Sequence, residues 1–89
     1  MPELIQQYST HMVGDDGTLY VVRAYGQPRA DGTWEGWLEF WPTSGGPPLR
    51  TGIESSQPER DALAYWASGL EPLYFEGAFQ RALERCAAV

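Results

Sequence analysis

Two glutamates and two tryptophans alternate along the stretch TWEGWLEFW, residues 33 to 41. Successive side chains of a strand point to opposite sides, so Glu35, Trp37, Glu39 and Trp41 share one face while Trp34, Gly36, Leu38 and Phe40 share the other. Paired carboxylates are the working groups of glycosidases, and indole rings beside carboxylates hold cations through cation–π attraction. At the usual strand rise Glu35 and Glu39 stand about 13 Å apart, too far for a glycosidase pair. Glu39 with Glu54 from a neighbouring strand is a further acid–base pairing, but no characteristic spacing marks it.

The remaining reactive groups are sparse. Cys86 is the lone cysteine and His11 the lone histidine, and no spacing links them as nucleophile and base. Cys86 falls on the apolar stripe of a terminal helix and reads as a small core residue, His11 as a surface one. GDDG, residues 14 to 17, lacks the spacing and the distal glutamate of a calcium loop and reads as a turn. No zinc-ligand set is present. Every basic residue is arginine, which removes Schiff-base lysine chemistry and the lysine of a phosphate-binding loop. The expectation is a protein without catalytic residues, cofactor or metal, and therefore not an enzyme.

The formal charge of −6 argues against nucleic acid and against an anionic membrane surface. Exposed strand aromatics stack bases in single-strand RNA binders, yet here acids accompany the rings and no basic rim does. No apolar run is long enough to span a bilayer and no signal pattern opens the chain, so a cytoplasmic location is expected. Lysine and asparagine, both with AT-rich codons, are missing altogether, which points to a high-GC bacterial genome.

These side chains need elements to hold them. The first dozen residues fit either a helix or a strand, and the GDDG turn favours a strand over about residues 8 to 13, in a hairpin with TLYVVRAY, residues 18 to 25. Asp31-Gly32 turns the chain into the tryptophan strand, residues 34 to 41, and LRTGIES, residues 49 to 55, forms a short fourth strand in which Gly52 marks a bulge or close approach. Hairpin register is open: the neighbours of the Glu35–Trp41 face are either Leu19, Val21, Arg23 and Tyr25 or Tyr20, Val22 and Ala24, and the first choice offers Arg23 to Glu35 or Glu39. From Ser56 the period lengthens. Ser56-Gln57-Pro58-Glu59 matches a capping box, predicting a helix over about 57 to 69 with Leu63, Trp66, Ala67 and Leu70 inward. Trp66 is expected in the core with its indole N–H on a carbonyl, and Tyr65 and Tyr74 off the stripes. Gly69 ends that helix, and Pro72 opens a second over about 72 to 87 with Phe75, Phe79, Leu83 and Cys86 along one side.

Strands followed by helices define an α+β fold: a single domain with a four-stranded antiparallel β-meander and two C-terminal α-helices packed on one face. EPLYFEG, residues 71 to 77, resembles a protease-cleavage linker, but the helical pattern runs through it and marks it as native. The strings DGTWEGWLEFWP, LRTG and QPERDALAYWASGLEPLYFEGAFQRAL resemble a group of short bacterial proteins of unknown function. That resemblance implies a stand-alone small protein and supplies no functional residue. In outline only, strands followed by a helix are also similar to antitoxins of the HicB type, whose sequence landmarks are missing here.

One tryptophan face is then expected beneath the helices. The other, with Glu35, Trp37, Glu39, Trp41 and Arg23, is expected to bind a protein, most simply a second copy in a homodimer that relieves the small core. The competing expectations are a small cationic ligand on the same face and, more remotely, an acid–base enzyme using Glu39 or Glu54.

Overall fold

The computed structural model describes residues 1–87. The chain folds as an antiparallel sheet with two helices on one side, the expected α+β layout. Strands β1 (Glu3–Val13), β2 (Leu19–Pro28) and β3 (Trp34–Pro42) form the meander, and a fourth position is shared by β4 (Leu49–Arg50) and β5 (Ser55–Gln57), both pairing with β3. Helices α1 (Arg60–Ser68) and α2 (Pro72–Ala87) complete the chain.

Two turns of one design set the meander. In both Gly14–Thr18 and Arg29–Thr33 the first residue donates to the carbonyl of the fifth (2.8 and 2.7 Å) and the fourth donates back to the first (2.9 and 3.0 Å). Asp16 and Asp31 accept the amides of Thr18 and Thr33 at 2.9 and 3.0 Å, and Gly17 and Gly32 take φ of +86° and +88°. This is the three-residue hairpin loop that ends in a left-handed residue, hence the repeated Asp-Gly-Thr. The backbone and hydroxyl bonds from Thr18 and Thr33 hold both carboxyls below the ordinary carboxylate range.

The first turn pins β1, which begins at Glu3 rather than near residue 8. β2 runs on to Pro28; Leu4 pairs with Tyr25, and the extra length pairs Glu3 with Gly26. β1 accommodates its surplus residues in two irregularities, between Leu4 and Gln6 and between Gln7 and His11.

The expected capping box does not form. Ser56 pairs with Glu35 in the β3–β5 ladder, and α1 starts at Arg60 behind Glu59, which caps it with no side-chain bond. Sheet pairing has taken the serine before the helix could use it. The fourth strand breaks around Gly52, and Thr51 mends the break: its fully buried Oγ1 accepts the Leu38 amide at 3.1 Å and donates to the Gly52 carbonyl at 2.7 Å.

Between sheet and helices lie Val22, Ala24, Leu38 and Phe40 against Ala67, Phe75, Ala78, Phe79 and Ala82. Tyr8 ties β1 across this layer by donating to the Ala67 carbonyl at 2.6 Å, and burial pushes its phenol up to about 12. Trp66 is half-buried against the core, and Tyr65 is exposed. Phe75, inside EPLYFEG, is buried, so that segment is part of the fold. Cys86, expected in the core, is exposed, as is Leu83. Cys86 keeps the right angular position but lies about 6 Å beyond Ala82, the last buried residue of α2.

Candidate functional site

The helices leave one sheet face uncovered. β2 and β3 pair with Val21 opposite Trp41, Arg23 opposite Glu39, Tyr25 opposite Trp37 and Gln27 opposite Glu35, which settles the open register in favour of the Arg23 alternative. On the flanks Gln7 sits opposite Arg23 and Arg50 opposite Glu39. One row across the face therefore reads Gln7, Arg23, Glu39, Arg50.

Arg23 does not pair with Glu35 or Glu39 as the sequence suggested. The two oxygens of Glu39 accept the indole N–H groups of Trp37 (2.8 Å) and Trp41 (3.0 Å), so one carboxylate locks both rings. The arginines go to the ring faces instead. Arg50 stacks over Trp37 at 4.0 Å and Arg23 over Trp41 at 5.2 Å. Tyr25 stacks beside Trp37 with centroids 6.5 Å apart. Farther along, Glu35 accepts from Gln27 at 2.9 Å and lies 3.7 Å from Arg29.

Trp37 is fully buried although no helix covers it. Its own neighbours clothe it, and this corrects the expectation of a ring presented to a partner. The cation-binding reading meets the same obstacle: Trp37 offers no ring surface, and Trp41, half-buried, already carries a guanidinium of this chain. What the face does present is Arg23, Arg50, Val21 and the outer part of Trp41, with Leu4 at one end and Val13 and Leu19 at the other, the last three 46%, 63% and 41% exposed.

The acid–base candidates are kept apart. Glu54 turns to the helix side, where Arg81 reaches both of its oxygens (2.6 and 3.1 Å) and Tyr74 donates at 2.5 Å. Sequence reasoning had Glu54 only as a remote acid. Its partners lie 20 and 27 residues away on a helix, beyond any local pattern. Burial raises the Glu54 carboxyl, but the bonds from Arg81 and Tyr74 outweigh it and hold it below its ordinary 4.5. Burial and Glu54 push the Tyr74 phenol up to about 12. The cluster clasps the β4–β5 bulge to α2. Because the folded value is the lower one, its stabilisation is complete above the unfolded-state pKa and is lost as pH falls through the folded value. Glu54→Gln should therefore flatten the acid limb of stability below about pH 4.5, read as urea midpoints across the acid range. An unchanged acid slope in that variant would remove Glu54 as its source.

His11 is exposed on the open face, with Nδ1 3.1 Å from the Ser9 carbonyl, and Cys86 lies at the far end of α2. Among the described residues no three His, Cys, Asp or Glu side chains converge to hold a metal ion. Two open clefts of about 430 and 370 Å³ lie beside Arg29, Asp31, Thr33 and Ser56 and at the α1–α2 junction; in the first, the Asp31 carboxylate is occupied by the amide and hydroxyl of Thr33 in the hairpin turn. Among the described residues no helix is long and apolar enough to cross a membrane. No family model, curated protein or solved structure matches the chain.

Proposed function

We propose that this chain is a non-enzymatic protein-interaction module and that its open sheet face is where another protein chain docks. The observation that carries this is the Arg50–Trp37–Glu39–Trp41–Arg23 array: stacked and hydrogen-bonded side chains hold a fixed surface on a face that none of the chain's own helices covers. A preorganised aromatic and arginine surface loses little side-chain entropy on binding, and Trp, Tyr and Arg are the residues that most often dominate interfaces. Strands of nine to eleven residues and a width of three to four strands give a patch about 30 Å by about 15–20 Å, the scale of a small or transient interface.

A second copy is the simplest occupant in principle, and a cytoplasmic bacterial setting suits either kind of partner. Burial of Trp37 inside one chain weakens the case for a dimer, because the small core has already gained the ring that a dimer was to supply. Light scattering on a dilution series decides it, with Val21→Glu as the probe of the open face. Association abolished by Val21→Glu places a second copy there, and a monomer at all concentrations leaves the face to a different chain. Association that survives the substitution would put the contact elsewhere and sink the reading for self-association.

A further inference from the structure

The charges divide unevenly between the two sides of the sheet. Arg23, Arg29 and Arg50 belong to the open face with Glu35, Glu39 and, beside Arg29 at its edge, Asp31, whereas the other nine acids stand with Arg60, Arg81 and Arg85 on the remaining turn and the helix side. The row Gln7, Arg23, Glu39 and Arg50 is thus formally +1 on a protein of −6. Among the described residues three of the six arginines make ion pairs: Arg29 with Glu35, Arg60 with Glu3 and Arg81 with Glu54. Arg23 and Arg50 make none among the described residues, although Glu39 sits between them in the row. Each oxygen of that carboxylate accepts an indole N–H, and the arginines lie on the rings.

Stacking fixes a guanidinium by its face and leaves its edge, where the N–H groups lie, directed outward. Arg23 uses Nε on Gln7 at 2.9 Å, which among the described residues leaves both terminal nitrogens available. Arg50 is exposed and forms no side-chain hydrogen bond among the described residues. The two side chains leave the sheet about 10 Å apart, two strand spacings, and lean in opposite directions along β3 toward the rings that Glu39 holds on either side of itself. Two planar forks directed outward from one row suit two carboxylates carried on one side of an extended chain.

We propose that the open face receives an acidic, extended segment of a different protein, with Arg23 and Arg50 as its carboxylate-binding forks and Val21, Leu4 and the exposed part of Trp41 supplying apolar contact between and beside them. This rests on the open face being the contact surface. A second copy is the poorer occupant: face to face it would oppose two net-positive rows, and offering its acidic helix side instead would make a head-to-tail contact that does not close on itself.

The test titrates ¹⁵N-labelled chain with a decapeptide of alternating Glu and Thr, its Lys-Thr counterpart and a ten-nucleotide uridine oligomer, reading backbone amide shifts. Expected is saturable binding of the Glu-Thr peptide with shifts on β2, β3 and β4, weakening as salt rises. Arg23→Ala and Arg50→Ala should each weaken it about tenfold, and Arg50→Lys should not restore it fully, because lysine keeps the charge and loses the fork. Arg85→Ala, on the far side of the sheet, should leave it unchanged. Shifts confined to α2, indifference to both arginine substitutions, or tighter binding of the oligonucleotide would each overturn the proposal. If the Lys-Thr peptide shifts the same strands and the Glu-Thr peptide does not, the face remains a protein-binding surface and only its acidic specificity fails.

Discussion

Trp37→Ala is expected to destabilise the fold by about 3–5 kcal/mol, the range for emptying a fully buried tryptophan site. For a chain of this length the total stability is on the order of 4–13 kcal/mol, so at the lower end this one change unfolds the protein. The prediction is specific to burial. Trp37 and Trp41 occupy equivalent positions in sequence, on one strand face, and both donate to Glu39. Yet Trp37 is inaccessible, with Arg50 4.0 Å from its ring, whereas Trp41 is half-buried with Arg23 at 5.2 Å. Trp41→Ala should cost clearly less, on the order of 1–2 kcal/mol for partial burial. Trp37→Phe should fall between, since it keeps much of the packing and releases one oxygen of Glu39 to solvent. Urea denaturation followed by far-ultraviolet circular dichroism measures all three without relying on the replaced fluorophore. Equal losses at positions 37 and 41 would mean that Trp37 is no better covered than its twin.

The contrast between those rings marks the limit of what the sequence discloses. Period-two alternation sets Leu38 and Phe40 on one face and Trp37 and Trp41 on the other, because strand geometry alone dictates it, but which face the helices cover is decided only in the packed structure. Helical spacing likewise found the inward residues Leu63, Ala67, Phe75 and Phe79. What covers Trp37 is not periodic. Arg50 arrives from a two-residue strand thirteen positions on, and a strand of that length leaves no pattern to align. Ser56 was misread for a related reason: a capping box and a strand end compete for the same residues, and only the ladder with Glu35 decides between them. Cys86 has the correct angle on α2 but lies beyond its last buried residue, and angle carries no information about where burial along a helix stops. The repeated Asp-Gly-Thr turn, by contrast, stood in plain view and could have set both hairpin registers from the start.

The largest packing effect outside the aromatic array is expected where α1 meets the sheet. Gly26 and Gly36 face each other across β2 and β3 on the helix side, and the side chain of Leu63 fills the notch they leave. A Cβ on Gly36 would stand 2.6 Å from Leu63 Cδ1 and 3.3 Å from Trp66 Cζ3, and one on Gly26 would also collide with Leu63. Neither glycine has a positive φ, so the requirement is for space rather than for backbone freedom. Gly36→Val should therefore destabilise the fold by about 1–3 kcal/mol through overpacking, even though valine is the better strand former. Leu63→Ala, which empties the notch, should cost about 2–5 kcal/mol. The two defects are complementary. In the Gly36→Ala/Leu63→Ala double variant the added methyl occupies part of the space that the leucine vacates, and the combined loss should fall short of the sum by about 1–2 kcal/mol. A four-member thermodynamic cycle by urea denaturation measures that difference. Strict additivity would mean that α1 lifts away from the sheet in the Gly36 variants, and Tyr8, whose hydroxyl is held by the Ala67 carbonyl of the same helix, would report it through a phenol titrating well below 12.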